Sequence, residues 1–271
     1  LYLFGLHIYS FRFVNIIASI ITICVVYFFL KKELGKRSAL VGSIPFLINP
    51  FYLTFVRTGL PEGTMILFSI LALVTWYRAL NSHSHHYVRG IVAGCAFVLA
   101  FFTKQSSIWL APTLFFTYVI FFVHEISQKK KTPTVHHFLH SGAGFVAAVI
   151  LLSLLYLVII VLPNKPVWLV NFTAIIGGNR PHGIRAFTEW FPAQFLGLIN
   201  NSLWGVIPIL VFSACIFCVV LLLRYRKEGR LFDLTRKSHR LELMSVLSLF
   251  FFLIYMVLIP SPYARFLVGI I

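Results

Sequence analysis

The sequence predicts an all-α bundle of membrane-spanning helices, on three observations. Of the 271 residues, 59% are hydrophobic and 11% charged, with a mean hydropathy of +0.92, whereas a soluble domain carries about 25% charged residues. The apolar residues gather into runs close to the ~20 residues that a helix needs to cross a bilayer. Connections of alternating charge separate those runs. Backbone polar groups must be satisfied internally in lipid, which an open sheet cannot do, so runs of this length are helices.

In order, the expected spans are Phe13–Leu30, Ala39–Val56, Thr64–Leu80, Ile91–Phe102, Ser107–Val123, Gly142–Leu162, Trp204–Leu223 and Leu243–Ile259. A ninth starts at Phe266. Ile91–Phe102 is short and must borrow flanking residues, while Pro45 and Pro50 interrupt the second span. The architecture is a polytopic bundle of about eight to nine spans, with short outer loops and one long outer loop, read as a single transmembrane domain over residues 1–271. Leu1 stands where Met is expected and Ile271 closes inside an apolar run, so the chain is expected to be a fragment of a longer protein.

Four connections are basic: Lys31–Arg37, Arg78–Arg89, His124–His140 and Arg224–Arg240. They hold sixteen of the 23 Lys and Arg, leaving seven elsewhere. The positive-inside bias places these four in the cytoplasm. The net charge of +16 is then mainly topology and affinity for anionic lipid. Nucleic acid is not an expected partner, because the basic residues are split among short loops with no binding module between them.

The opposite, outer face holds only two acids, Glu62 and Glu189, against Arg57, Lys104, Lys165, Arg180, Arg185 and Arg265, plus His182. Arg57 and Glu62 bracket a short turn containing Gly59 and Pro61. Lys104 directly follows Phe101-Phe-Thr103. Ionisable groups at membrane depth are costly, so they line a polar cavity, pair, or snorkel to the interface. Snorkelling accounts for any one of them about as well. Together, with so few acids, they favour a shared anionic site such as the phosphate of a lipid carrier. Gln105, Ser106 and Ser107 add neutral donors beside Lys104. The long outer connection Pro163–Leu203 contains Gly177-Gly-Asn-Arg180 and the aromatics Phe187, Trp190, Phe191 and Phe195. Such a segment covers a site or forms an interfacial aromatic belt. Asn171-Phe-Thr173 and Asn200-Asn-Ser202 are glycosylation sequons on this side.

Other motifs point to packing or solvent. Cys215 and Cys218 have redox spacing but sit mid-span with no His or acid beside them, and Cys24 and Cys95 also lie in apolar runs. His83, His85, His86, His136, His137 and His140 fall in expected cytoplasmic loops without Cys or acid partners, where solvated histidines outnumber ligands. No motif implies a cofactor or a metal.

These residues, taken in order, resemble the multi-span glycosyltransferases of the GT-C type that use polyprenyl-phosphate sugars. Within them the likeness is nearest to the dolichyl-phosphate-glucose α-1,2-glucosyltransferases of dolichol-linked oligosaccharide assembly. Leu1-Tyr-Leu3 is similar to the end of a Pro-Gly-Leu-Tyr-Leu stretch, and Arg12-Phe-Val-Asn15 to Leu-Arg-Phe-Val-Asn. Thr58–Gly63, with Glu62, resembles a Tyr-Tyr-Thr-Glu/Asp turn. Lys104-Gln-Ser-Ser-Ile-Trp109 resembles Arg-Gln-Thr-Asn-Ile-Trp. Gly178-Asn-Arg-Pro-His182, Phe191-Pro-Ala-Gln-Phe195 and Ala264-Arg-Phe266 match later segments. Lys104 stands where that family has Arg, and Asn179 where it has an acid.

The resemblance implies transfer of a hexose, glucose by the nearest likeness, from a dolichyl- or polyprenyl-phosphate donor. The acceptor is a lipid-linked oligosaccharide on the lumenal side of the endoplasmic reticulum, or the equivalent face of a bacterial or archaeal membrane. Membrane lipid is a further partner. Lys104, Gln105, Arg265 and Arg57 are expected at the donor phosphate, and Arg180, His182, Arg185 and Trp109 around the substrate. Glu62 is the best carboxylate in the chain. The principal base is expected in a first outer loop upstream of Leu1. A protein or lipid mannosyl- or aminosugar transferase of the same superfamily is the alternative. The competing class is a transporter, which tends to show internal repeats and helices broken at the midplane.

Overall fold

The computed structural model describes residues 8–48, 62–81, 85–128, 133–165, 225 and 232–258. Among them there is no strand, and five segments are long and apolar enough to cross a membrane: Arg12–Leu34, Gly63–Asn81, His86–Thr103, Ser107–Ser127 and Val135–Val161. The all-α polytopic expectation therefore holds. The expected spans at Trp204–Leu223 and beyond Phe266 lie outside the described residues.

Helix α1 (Ile8–Leu34) and α2 (Lys36–Ile48) form a hairpin about Gly35. Gly35 has φ +91°, the left-handed region that glycine enters without cost. Helix α3 (Glu62–Asn81) packs beside α1 and against α4 (His86–Thr103). The expected connection Arg78–Arg89 is shorter than its charges suggest, because both arginines lie inside helices. The short fourth span does borrow its flank, starting five residues before Ile91. After Lys104 a 3-10 turn (Gln105–Trp109) leads into α5 (Leu110–Ser127). Helix α6 (Pro133–Tyr156) ends in a π-helical turn (Leu157–Val161). Helix α7 (Lys237–Leu258) carries the expected eighth span.

The closest pairing is α4 with α6, built on small residues. A Cβ on Gly90 would collide with the Ser141 carbonyl, one on Gly94 would sit 2.6 Å from the Phe145 oxygen, and one on Gly144 would meet the Tyr87 carbonyl. Lipid tails are as apolar as leucine, so helices associate by close van der Waals approach, which small residues permit. Trp76 of α3 fills the space beside this pair. It packs with Leu80, Ala93, Leu114, Phe121 and Phe138, and its indole N–H donates to the Leu114 carbonyl at 3.0 Å. A second cluster joins Phe29, Val74 and Tyr77 to Leu241 and Met244 of α7.

The basic end of the bundle is tied more firmly than solvated loops would be. Arg240 and Glu125, both expected in cytoplasmic connections, are buried in α7 and α5 and form an ion pair. Arg240 also donates to the Asn81 side chain (3.0 Å) and the Leu234 carbonyl (2.5 Å), and its guanidinium lies over Phe121. The Tyr77 hydroxyl donates to the Lys237 carbonyl at 2.9 Å. The loop-histidine expectation also needs correction. His86 is buried in α4, donates through Nδ1 to the Ala79 carbonyl (3.1 Å), and has the His137 ring 4.1 Å away. His136, His137 and His140 lie in the first turns of α6, not in a loop. The helices simply extend beyond the apolar runs that marked the spans.

Candidate functional site

The antiparallel packing of α3 and α4 sorts their ends. Asn81 and His86 meet at the basic end. Each helix then runs 18 to 20 residues, roughly 27–30 Å at 1.5 Å per residue. Glu62, which opens α3, and Lys104, which closes α4, are therefore at the same opposite end. The tight turn read from Arg57 to Glu62 falls largely outside the described residues, but its exit is visible. Glu62 is the first helical residue and Gly63 follows.

That exit is fixed by α1. Asn15 is buried, and its Oδ1 accepts from the Thr64 N–H at 3.3 Å and the Thr64 hydroxyl at 3.1 Å. Thr64 is the third residue of α3, so its N–H has no partner within the helix. Asn15 thus does from another helix what an N-cap side chain does locally. Gly63 makes this contact possible, because a Cβ there would lie 3.1–3.3 Å from Asn15 Oδ1, Ser19 Oγ and the Asn15 carbonyl. Asn15, which closes the Arg12–Asn15 stretch quoted for the resemblance, thus lies against Gly63, the last residue of the Thr58–Gly63 stretch. Asn15 was singled out in sequence only as part of that likeness and not as a positioning group.

Lys104 is a one-residue break in the helical path. Its backbone is extended (φ −157°, ψ 120°), its N–H closes α4 on the Ala100 carbonyl (3.0 Å), and its carbonyl accepts from the Ser107 N–H (3.0 Å). The side chain is half-buried. Ser107 is fully buried, and its hydroxyl has no hydrogen-bond partner among the described residues. Trp109 is half-buried and packs edge-on against Phe252 of α7, with ring centroids 5.6 Å apart. Phe102 stacks on Tyr156 of α6 at 3.9 Å. The end of the bundle that carries Lys104 is thus framed by aromatic rings from four helical segments.

The structure brings Glu62 by its backbone, Lys104, the Gln105 backbone and Trp109 to one end. Arg57, Arg180, His182, Arg185 and Arg265 lie outside the described residues, as do Cys215 and Cys218. Among the described residues no three His, Cys, Asp or Glu side chains cluster as a metal site. A cation held half-buried at a membrane edge can bind a phosphate oxygen and stabilise charge that develops on it. A carboxylate nearby can take a proton from a hydroxyl or orient one.

Residues 1–150 match the protein family described as dolichyl-phosphate-mannose-protein mannosyltransferase. The match includes Asn15, Glu62, Lys104 and Trp109. No curated protein and no solved structure gives a significant match to the chain.

Proposed function

Because the chain belongs to the dolichyl-phosphate-mannose-protein mannosyltransferase family, we propose that the outer end of its bundle moves a hexose from a polyprenyl-phosphate carrier to an acceptor hydroxyl. At the coarser level it is a multi-pass membrane glycosyltransferase that uses a polyprenyl-phosphate sugar donor. The observation that carries the site is the place of Lys104, half-buried in the break after α4, at the same end as Glu62.

The reaction forms a bond between the acceptor oxygen and the anomeric carbon. The bond from that carbon to the phosphate oxygen breaks, and the carrier phosphate leaves with the electron pair. The acceptor proton passes to a carboxylate. Negative charge grows on the phosphate as the bond breaks, and the Lys104 ammonium stabilises it there. Arg265, Arg57 and the Gln105 amide complete the phosphate contacts in this reading. Glu62 holds the sugar or acceptor, and Arg180, His182, Arg185 and Trp109 border the substrate.

For the sugar, we favour glucose delivered to a lipid-linked oligosaccharide at the lumenal face of the endoplasmic reticulum. This rests on the ordered likeness of Arg12–Asn15, Lys104–Trp109 and the later segments to the glucosyltransferases. A second reading, mannose delivered to a protein or lipid acceptor, is favoured by the family match itself. Reconstituted full-length protein offered polyprenyl-phosphate glucose or mannose, with an oligosaccharide lipid or a hydroxyl-bearing peptide, separates them. Transfer of glucose to the oligosaccharide lipid supports the first reading. Transfer of mannose alone replaces it with the second, and no transfer from any polyprenyl-phosphate sugar removes both.

A further inference from the structure

A groove runs between α1 and α3 on the half of the bundle nearer the basic end. Its volume is about 360 Å³, and Ile20, Cys24, Phe28, Leu71 and Thr75 line it, with Arg78 at its end. From Ile20 to Phe29 the wall spans about 13 Å at 1.5 Å per residue. That is close to half of a ~30 Å hydrocarbon core, the depth of one leaflet. The walls are largely apolar, and Ile20, Cys24 and Phe28 are exposed at its rim.

Arg78 makes this groove more than a lipid-facing crease. Its guanidinium lies over the Phe29 ring, 5.5 Å from the centroid. Its Nε is buried and has no hydrogen-bond partner among the described residues. No described carboxylate forms an ion pair with it, Glu33 in the last turn of α1 included. A buried Nε–H without an acceptor is unfavourable, and the planar N–H donors of a half-buried guanidinium suit phosphate oxygens. Lys31 and Lys32 stand in the last turn of α1, at the same end of the bundle, where anionic head groups are attracted to basic side chains.

We propose that this groove is a binding site for one anionic phospholipid of the cytoplasmic leaflet. An acyl chain lies between α1 and α3, and the head-group phosphate accepts from Arg78. The site is at the opposite end of the bundle from Lys104 and does not depend on which sugar is transferred.

Native mass spectrometry of the purified full-length protein tests this, with phosphatidylglycerol or phosphatidylcholine of identical chains added. The wild-type protein retains phosphatidylglycerol about tenfold better, the scale of one charge-assisted contact. Arg78→Gln lowers that retention to the phosphatidylcholine level, and Arg78→Lys keeps part of the preference. Cys24→Trp, which fills the groove from its exposed wall and leaves Arg78 in place, also lowers phosphatidylglycerol retention. Lys32→Gln lowers it by less than Arg78→Gln does. Equal retention of the two lipids by the wild type overturns the proposal. So does unchanged phosphatidylglycerol retention in folded Arg78→Gln or, should that variant not fold, in Cys24→Trp. A loss in Lys32→Gln equal to that in Arg78→Gln does so as well, because it would mean diffuse charge attraction without a groove.

Discussion

Asn15 Oδ1 accepts from both the backbone N–H and the hydroxyl of Thr64, 49 residues further along the chain. This contact ties the first turn of α3, which Glu62 opens, to α1. Asn15→Leu removes the acceptor and should cost about 1–2 kcal/mol of stability, as loss of an N-cap does. Asn15→Asp keeps an acceptor at a positive helix end and should recover most of it. Thermal melting in detergent, read beside sugar transfer per folded molecule, checks both. If transfer per folded molecule is unchanged in Asn15→Leu, the contact holds the helix without positioning Glu62.

The Glu125–Arg240 pair ties α5 to α7 at the basic end. Both side chains are buried, so removing one partner takes from the other the counter-charge it is paired with. Glu125→Leu alone should cost roughly 3–5 kcal/mol, and Arg240→Met alone a similar amount. The double variant should be more stable than either single one, because an apolar pair needs no partner. Denaturation of all four proteins in one detergent gives the coupling energy. Additive losses in the double variant would mean that the two charges act separately.

Close approach of α4 and α6 gives a third expectation. Gly90 faces the Ser141 carbonyl with no room for a methyl group. Gly90→Ala should therefore destabilise the protein by about 1–3 kcal/mol, the usual cost of overpacking. Ala147→Leu, on the exposed side of α6, should be near neutral. Melting temperatures of the two variants, measured together, decide whether the small residues matter for contact or only for helix content.

Topology carries the assignment of the two ends. In a cysteine-free background and sealed vesicles whose outer surface is the cytoplasmic face, Lys36→Cys should label from outside and Lys165→Cys only after permeabilisation. Labelling of both from one side would overturn the topology and with it the assignment of Glu62 and Lys104 to the outer face.

The span pattern was legible because lipid imposes it. Runs of apolar residues, and the basic bias of alternate connections, follow from the solvent and not from the fold's details. Lys104 stood out for the same reason, as a charge directly after such a run. What joins the helices was not legible. Glu125 and Arg240 looked like loop charges because nothing local reveals a partner 115 residues away. His86 looked solvated because helix ends extend past apolar runs into polar sequence. Gly90, Gly94 and Gly144 gave no signal until the partner backbone was in view, and Asn15 is one asparagine among apolar neighbours. Pairing between distant helices is a property of three-dimensional packing, and a single sequence records it only as isolated polar or small residues.

The central claim is that Lys104 stabilises the phosphate leaving group of a polyprenyl-phosphate sugar. Its most direct test is the rate of sugar transfer by reconstituted full-length Lys104→Gln, with donor concentration varied, beside Glu62→Gln and Lys104→Arg. A cation lost from a partly desolvated site should cost about 2–4 kcal/mol of transition-state stabilisation, roughly 30- to 1000-fold in rate. Lys104→Arg should retain part of the activity, since charge stays while geometry changes. Glu62→Gln should lower transfer more than it lowers the amount of protein. A lysine that merely reaches the interface can be replaced by glutamine with little consequence. Near-normal rate and donor affinity in Lys104→Gln would therefore contradict the account.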